Sequence, residues 1–281
     1  MNELSLSTKN KYENLKELVR NLQSVVIGFS GGIDSTLVAK ISTEILGQNA
    51  IAVIGRSATL PMSDYFSAIE TAKSFGARVI EVETEETDNL KFKSNPIDRC
   101  YFCKTELFEK LKIIAHENNI KWIADGSIAD DLNDYRPGAK ARIEQNVISP
   151  LLETGFTKNE VRELAKFLNL PNWDKPSSPC LSSRFPYETQ ITKENLLKIE
   201  LAEEFLKSNG FKEVRVRFQD EKTARIEIPK NEFEKILNDD LRIKIINEIK
   251  RLGFIYVALD LAGLRSGSMN EVLNIQTKII I

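Results

Sequence analysis

Residues 24–46, SVVIGFSGGIDSTLVAKISTEIL, leave few folds open to this chain. Val25, Val26, Ile27 and Phe29 form a short apolar run rich in β-branched side chains, which reads as a buried strand. Ser30-Gly31-Gly32 interrupts it, and Leu37, Val38, Ile41 and Ile45 then recur at helical spacing behind Ile33-Asp34-Ser35-Thr36. Strand, glycine turn and helix in immediate succession bring backbone N–H groups together at a helix N-terminus. The helix dipole adds positive potential there, and glycine lets an anion approach without a Cβ in the way. Such turns are common, so the pattern alone favours phosphate only slightly. Ser30 and Ser35 narrow it by placing hydroxyl donors on both sides of the glycines. The Gly-Lys-Ser/Thr ending of a Walker loop is missing; the nearest downstream lysine, Lys40, lies inside the helix.

The rest of the first half repeats the alternation. A leading amphipathic helix over 8–22 puts Leu15, Leu18, Val19 and Leu22 on one face. Strands are predicted over 50–54, 77–82 and 121–124, with helices over 64–75, capped by Ser63, and from Asp98 to about 117; residues 84–97 read as polar and irregular. This pattern predicts an α/β doubly wound parallel sheet with ligands at the carboxyl ends of its strands. The glycine turn and Asp125-Gly126-Ser127 both fall at such ends. Thr157-Lys158-Asn159-Glu160 is a capping box for a helix ending near Leu168. The proline- and serine-rich stretch PNWDKPSSPCLSSRFPYET then reads as a linker, though its cysteine, tryptophan and arginine suit one that lines a site. From Ile191 the order becomes helix, strand, strand, helix, strand, a smaller C-terminal α+β domain. The expected division is 1–170, a linker over 171–190, and 191–281. In Val214-Arg215-Val216-Arg217-Phe218 the alternation turns the apolar residues to the core and both arginines to the other face; Arg225 and Glu227 pair likewise on the next strand.

At 281 residues with a net charge of −2, the chain has ample length for a core and no excess of cations for nucleic-acid backbones. No stretch is long and apolar enough to span a bilayer, and MNELSLSTKNKYENL lacks a signal-peptide core, so the expected location is cytoplasmic. Three cysteines in such a chain favour metal or reactive-thiol chemistry over disulfides. Cys100 and Cys103 share one face at a helix start, where the dipole favours thiolates; Cys180 lies far off in the proline-rich stretch. The one histidine, His116, is thirteen residues beyond Cys103, about 20 Å further along the same helix and on nearly the opposite face, so it cannot complete a zinc site. The cysteines alone leave a [4Fe–4S] cluster with one open iron, zinc with an acidic fourth ligand, and unliganded thiols equally open.

SGGIDS resembles the PP-loop of ATP pyrophosphatases, which cleave ATP between the α and β phosphates and adenylate an oxygen of their substrate. Over nearly its whole length the chain is similar to the LarE family of ATP-dependent sulfur-insertion enzymes. The resemblance runs through FSGGIDSTLVAK, ADGSIADDLNDYRPGAKAR, LPNW, SSRFPY, VRVRF, ARIEIP and LDLAGLRSG, in that order. It implies that a carboxylate of pyridinium-3,5-biscarboxylic acid mononucleotide is adenylated, with pyrophosphate released, and its oxygen replaced by sulfur for the nickel-pincer cofactor of lactate racemase. One branch of the family sacrifices its own cysteine; another carries three cysteines and a [4Fe–4S] cluster that delivers sulfide. Cys100, Cys103 and Cys180 match the second, with one iron not held by the protein.

The same resemblance assigns Gly28, Phe29, Ser30, Gly31, Gly32, Asp34, Ser35, Ser57 and Gly126 to ATP, with Asp34 as a Mg²⁺ ligand or helix cap. Asp130, beside Asp131, is a further Mg²⁺ candidate; loop solubility is its plainer explanation. A substrate phosphate calls for cations, and Arg184 with Ser183, Arg215, Arg217 and Arg265 are the candidates. For any single arginine a surface ion pair explains it equally well, and Glu227 is explained as Arg225's partner alone. ATP and cluster are expected near the interdomain cleft, in a homo-oligomer supplied by sulfide or another sulfur donor. The rival readings are a tRNA 2-thiolation enzyme, against which the acidic balance and lack of spare cysteines count, and an amidating enzyme of the NAD-synthetase type, which needs no thiols. An ATP-sensing or cluster-carrying binding protein is the non-catalytic rival.

Overall fold

The computed structural model describes residues 3–133, 137–176, 178–265 and 267–272. Ser177, Ser266 and residues 134–136 of the motifs quoted above lie outside them. The chain divides into two compact units, Met1–Phe92 with Ile97–Ser178, and Lys93–Pro96 with Pro179–Ile281.

The first unit holds β1 (Val25–Gly28), β2 (Ala50–Arg56), β3 (Arg78–Glu83) and β4 (Trp122–Ala124) in one sheet of order β3-β2-β1-β4, every pair parallel. Its helices are α1 (Leu6–Leu22), α2 (Ile33–Leu46), α3 (Met62–Ser74), α4 (Leu90–Lys93), α5 (Arg99–Glu117), α6 (Pro137–Glu144), α7 (Pro150–Glu153) and α8 (Lys158–Phe167). Val25 and Ile27 join Leu37, Ile41, Tyr65 and Val161 in one core layer, while Val26 joins Phe108, Leu111 and Ile123 in the other. That two-sided burial is why β1 is apolar without alternation. The strand order reverses direction at β1: β2 and β3 lie to one side and β4 to the other. The carboxyl ends of β1 and β4 therefore flank the switch point where such sheets bind ligands.

Two local expectations need correction. Ser63 does not cap α3; the helix starts at Met62 behind Pro61, whose carbonyl accepts the first helical bond from the Tyr65 amide at 3.0 Å. Proline's fixed φ presets the entrance to the helix, and Ser63 falls inside it, exposed. Residues 84–97 are not wholly irregular, since a 3₁₀ turn at Glu86–Asp88 and α4 fold within them. Gly76, at φ +72°, ends α3 as read, and the Thr157/Glu160 capping box of α8 is present in both directions.

The second unit holds α9 (Lys193–Ser208), α10 (Phe233–Leu237) and α11 (Asp239–Arg251) with β5 (Arg215–Asp220), β6 (Thr223–Glu227) and β7 (Tyr256–Leu259). β5 pairs antiparallel with β6, and β6 pairs parallel with β7. Phe185 stacks on Phe218 with ring centroids 4.9 Å apart, and Phe254 meets Phe218 edge-on at 5.9 Å. Val214, Val216 and Phe218 are buried as their alternation predicts, but Arg217 on the opposite face is buried too, only 2% exposed. No helix among the described residues is long and apolar enough to cross a membrane.

Candidate functional site

The chain leaves β1 at Gly28, where a Cβ would press on Leu111 Cδ1 at 3.3 Å, and passes Phe29, whose ring is buried in the core. Ser30 and Ser35 then tie the turn together: Ser35 Oγ accepts from the Ser30 amide at 3.2 Å, lies 3.2 Å from Ser30 Oγ and donates to the Gly32 carbonyl at 3.1 Å. Gly31 takes φ +70°, which L side chains resist, and packs so closely on α3 that a Cβ would lie 2.5 Å from that of Ala68. Gly126 meets the same helix start from β4; its Cβ would stand 2.6 Å from the Ser35 nitrogen. Both glycines are thus required by contact with backbone or an adjacent methyl group, and together they seat the N-terminus of α2 at the switch point. The first amides of α2 have no intrahelical acceptors, which gives this turn its capacity for anions.

Side chains from later in the chain close around the turn. Asn172 Nδ2 donates to the Gly31 carbonyl at 3.0 Å and to Thr36 Oγ1 at 2.9 Å, fixing the loop to its helix. Asp34 accepts from Lys158 Nζ through both oxygens, at 2.8 and 2.7 Å. Asp130 Oδ2 accepts from the Lys158 backbone amide at 2.9 Å, so both carboxylates read as magnesium ligands are held by one residue. Asp64 accepts from Lys175 Nζ at 2.9 Å and from Ser178 Oγ at 2.6 Å. Ser30, Gly32, Asp34, Asp64, Lys158 and Lys175 are among the residues lining a cavity of about 140 Å³ here. Ser57, past β2, packs its hydroxyl against Thr59 Oγ1 at 2.7 Å, and Thr59 donates to the buried Glu86 at 2.8 Å.

The family model described as NAD synthase matches residues 7–110, the segment that carries the glycine turn. A pyridinium-3,5-bisthiocarboxylic acid mononucleotide synthase of Lactiplantibacillus plantarum is 40% identical over 264 residues, covering 94% of this chain and 95% of the relative. The chain belongs to that synthase family, the LarE family. An uncharacterized protein of Synechocystis sp. is 42% identical over 265 residues, 94% of this chain and 98% of its own. Another, from Methanocaldococcus jannaschii, is 32% identical over 253 residues, covering 90% and 95%.

In this LarE family member Cys100 and Cys103 lie in the first turns of α5, Cys100 exposed and Cys103 half-buried, so both thiols sit near an unsatisfied helix start. Cys180, half-buried in the second unit, immediately precedes a 3₁₀ turn over Leu181–Arg184. Two thiols one helical turn apart fit the cluster chemistry as a pair. Among the described residues no three His, Cys, Asp or Glu side chains are gathered around a common point. His116 lies in the last turn of α5, the far end from the cysteines.

The arginines make internal contacts in the second unit. Arg184, 4% exposed, forms a bidentate pair with Glu203 at 2.8 and 3.0 Å and donates to the carbonyls of Pro179 at 2.6 Å and Cys180 at 3.2 Å, and to Ser183 Oγ at 2.9 Å. Arg217 donates to Glu227 at 2.7 Å, to Ser268 Oγ at 2.8 Å and to the Ser183 carbonyl at 2.9 Å. Both guanidinium groups therefore pin the turn that carries Cys180. Glu227 pairs with Arg217 more closely than with Arg225, which stands at 3.5 Å. Arg215 donates to the Arg265 carbonyl at 3.1 Å; burial, then the charges of Arg217 and Arg184, push its pKa down. Arg265 forms a bidentate pair with Glu271, which holds its pKa above the usual guanidinium value.

Asn172, Lys158, Lys175 and Asp64 went unassigned in the sequence. Asn172 lies in LPNW, one of the motifs that carry the resemblance, and Lys158 carried a local signal of its own. A lysine at the first position of a capped helix opposes the helix dipole and needs a reason to be there.

Proposed function

We propose that the chain is an ATP-dependent sulfur transferase acting on pyridinium-3,5-biscarboxylic acid mononucleotide in nickel-pincer cofactor synthesis. The end-to-end relation to the Lactiplantibacillus plantarum synthase carries this reading, and the glycine turn built at the sheet's switch point supports it. A carboxylate is a poor electrophile because oxide would have to leave. Its oxygen attacks the α-phosphorus of ATP, the bond to the β-phosphate breaks, and pyrophosphate departs. Backbone amides of Ser30, Gly31 and Gly32, with the Ser30 and Ser35 hydroxyls, receive that charge. Gly28, Phe29, Ser57 and Gly126 line the nucleotide. Asp34 and Asp130 are the side chains that would hold Mg²⁺, which supplies charge neutralisation at the departing phosphates. A sulfide then attacks the acyl carbon, the C–S bond forms, the C–O bond to the adenylate breaks, and AMP leaves.

Cys100, Cys103 and Cys180 would hold a [4Fe–4S] cluster, which supplies an iron open to external sulfide when bound. Arg215 and Arg265, with Ser183, are assigned to the substrate's own phosphate, while Arg184 and Arg217 hold the Cys180 turn in place. Of the two units, Met1–Phe92 with Ile97–Ser178 takes the ATP pyrophosphatase role in place of the expected 1–170, and Lys93–Pro96 with Pro179–Ile281, which absorbs much of the expected 171–190 linker, takes the substrate and oligomerisation role expected of 191–281, in a cytoplasmic homo-oligomer. The test is pyrophosphate and AMP release without oxygen, with the pyridinium mononucleotide set against tRNA. Release with the mononucleotide and loss of bound iron in Cys180→Ala are expected. Release with tRNA alone, or full activity with all three cysteines replaced, would sink the proposal.

A further inference from the structure

Glu86 is a carboxylate only 2% exposed, in the 3₁₀ turn that follows β3, and nothing in the ATP reading accounts for it. One of its oxygens accepts from Thr59 Oγ1 at 2.8 Å; the other, also buried, has no hydrogen-bond partner among the described residues. The neighbouring charge is a like one. Burial raises the pKa of Glu106 against the pull of the Glu85 amide, and the charge of Glu86 adds to the rise. A buried carboxylate served by one neutral hydroxyl costs stability. What that hydroxyl does next supplies the reason. As a carboxylate Glu86 can only accept, so it takes the single proton of Thr59, which is itself 5% exposed. Thr59 Oγ1 then has only lone pairs to offer Ser57 Oγ at 2.7 Å, and the Ser57 proton must point at Thr59. The Thr59 amide fills one side of Ser57 Oγ at 2.9 Å. What remains on Ser57 is one lone pair and no proton.

We propose that Glu86, acting through Thr59, fixes Ser57 as a pure hydrogen-bond acceptor that selects adenine over purines carrying a carbonyl at the same ring position. The proposal rests on the ATP reading above, which lines the nucleotide with Ser57, and deepens it. β1 ends at Gly28, level with Val53, while β2 runs on to Arg56. Ser57 therefore stands four residues past that level, about 13 Å along the strand direction. That is on the ligand side of the sheet edge, within reach of the base of a nucleotide whose phosphates lie at the glycine turn. Its carbonyl accepts from the Leu60 amide at 3.2 Å, and Leu60 lines the glycine-turn cavity, so one short turn joins the two places. Adenine presents an amino group, a donor that meets the free lone pair. Guanine and hypoxanthine present an oxygen there, and the Ser57 hydroxyl cannot rotate to greet it because its proton is held. Two acceptors then face each other with no proton between them. Glu86 and Thr59 are positioning residues in this scheme, and Ser57 alone touches the base.

The test is calorimetric titration of the full chain with AMP, IMP and 2′-deoxy-AMP. Wild type should prefer AMP to IMP by about 10- to 100-fold. Thr59→Val removes the acceptor that holds the Ser57 proton, and Glu86→Leu frees the Thr59 proton to turn toward Ser57. In each the preference should fall to about threefold or less, chiefly because IMP binds better. Thr59→Ser keeps the relay and should keep the wild-type preference. Glu86→Leu also removes a buried charge, so it carries the test if Thr59→Val, which strands that charge, fails to fold. A wild type that binds IMP as tightly as AMP would overturn the assignment. So would variants that weaken AMP and IMP in parallel, as a merely structural role would, or that change only the preference for AMP over 2′-deoxy-AMP. A wild-type chain that binds neither AMP nor ATP would instead bring down the ATP reading, and this inference with it.

Discussion

Replacing Gly31 by alanine loads the glycine turn in two separable ways. The backbone at φ +70° is left-handed, which costs an L side chain about 1–2 kcal/mol. The new methyl group would also lie 2.5 Å from Ala68 Cβ and 2.9 Å from Ala68 Cα, where carbon atoms rest at about 3.5–4.0 Å. The loop and α3 must part by about 1 Å, and overpacking of that kind costs about 1–3 kcal/mol. Stiffening of the unfolded chain offsets about 0.4–1 kcal/mol, so Gly31→Ala should lose about 2–4 kcal/mol. Both tryptophans, Trp122 and Trp173, lie in the unit that carries the turn, so fluorescence-detected urea unfolding reports on the right half of the chain. Ala68→Gly supplies the control. Alone it weakens α3 by about 0.5–1 kcal/mol, but in the double variant it removes the nearer clash and leaves the φ cost. The double variant should therefore be more stable than the sum of the single changes by about 1–2 kcal/mol. Gly31→Ala within about 0.5 kcal/mol of wild type, or strict additivity, would show that the close approach to α3 does not set the turn.

Acid stability should depend on Glu160. Burial pushes its pKa up, but donors from Lys11 at 2.7 Å, the Thr157 amide at 2.9 Å and Ser7 at 2.8 Å prevail and hold it at about 2. Because the folded value lies below the unfolded 4.5, the contribution is complete above about pH 4.5 and disappears as pH falls toward 2. Between pH 5 and pH 2.5, wild type should lose about 2 kcal/mol more than Glu160→Gln in Trp-detected unfolding; parallel profiles would refute this. In the second unit, Glu227→Gln leaves Arg217 buried without its counter-charge and should cost about 3–5 kcal/mol. Hydrogen exchange at β5 and β6 amides reads this locally, with the solvent-exposed Glu271→Gln as the weak comparison; equal effects would contradict the burial argument.

What could be read from sequence followed short-range rules. The β1 run, the glycine turn, the α8 capping box and the glycine ending α3 are each decided within a few residues, and the structure has all four. What escaped was decided across long separations. Asn172 reaches Gly31 over 141 positions, Lys158 reaches Asp34 over 124, and Lys175 reaches Asp64 over 111. No periodicity encodes such pairs; they exist only once the sheet has placed its loops along one edge. Arg217 shows the reverse limit. Strand alternation correctly sent it away from Val216 and Phe218, but could not reveal that Glu227 and Ser268 bury it on the other side. Ser63 lost its capping role to a rule of equal range, because Pro61 two residues earlier offered a better start.

The smaller unit draws Lys93–Pro96 from a distant part of the chain. The Lys93 and Asn95 carbonyls accept from the Ile191 and Glu188 amides at 2.9 and 3.0 Å, and the fully buried Asn95 amide grips the Pro186 carbonyl at 2.6 Å. Four residues lifted out of the first half act as a peg that the second half needs to finish folding. No single scissor cut through the gene can yield both halves intact, so an exchange of the smaller unit between relatives must transplant the peg along with it.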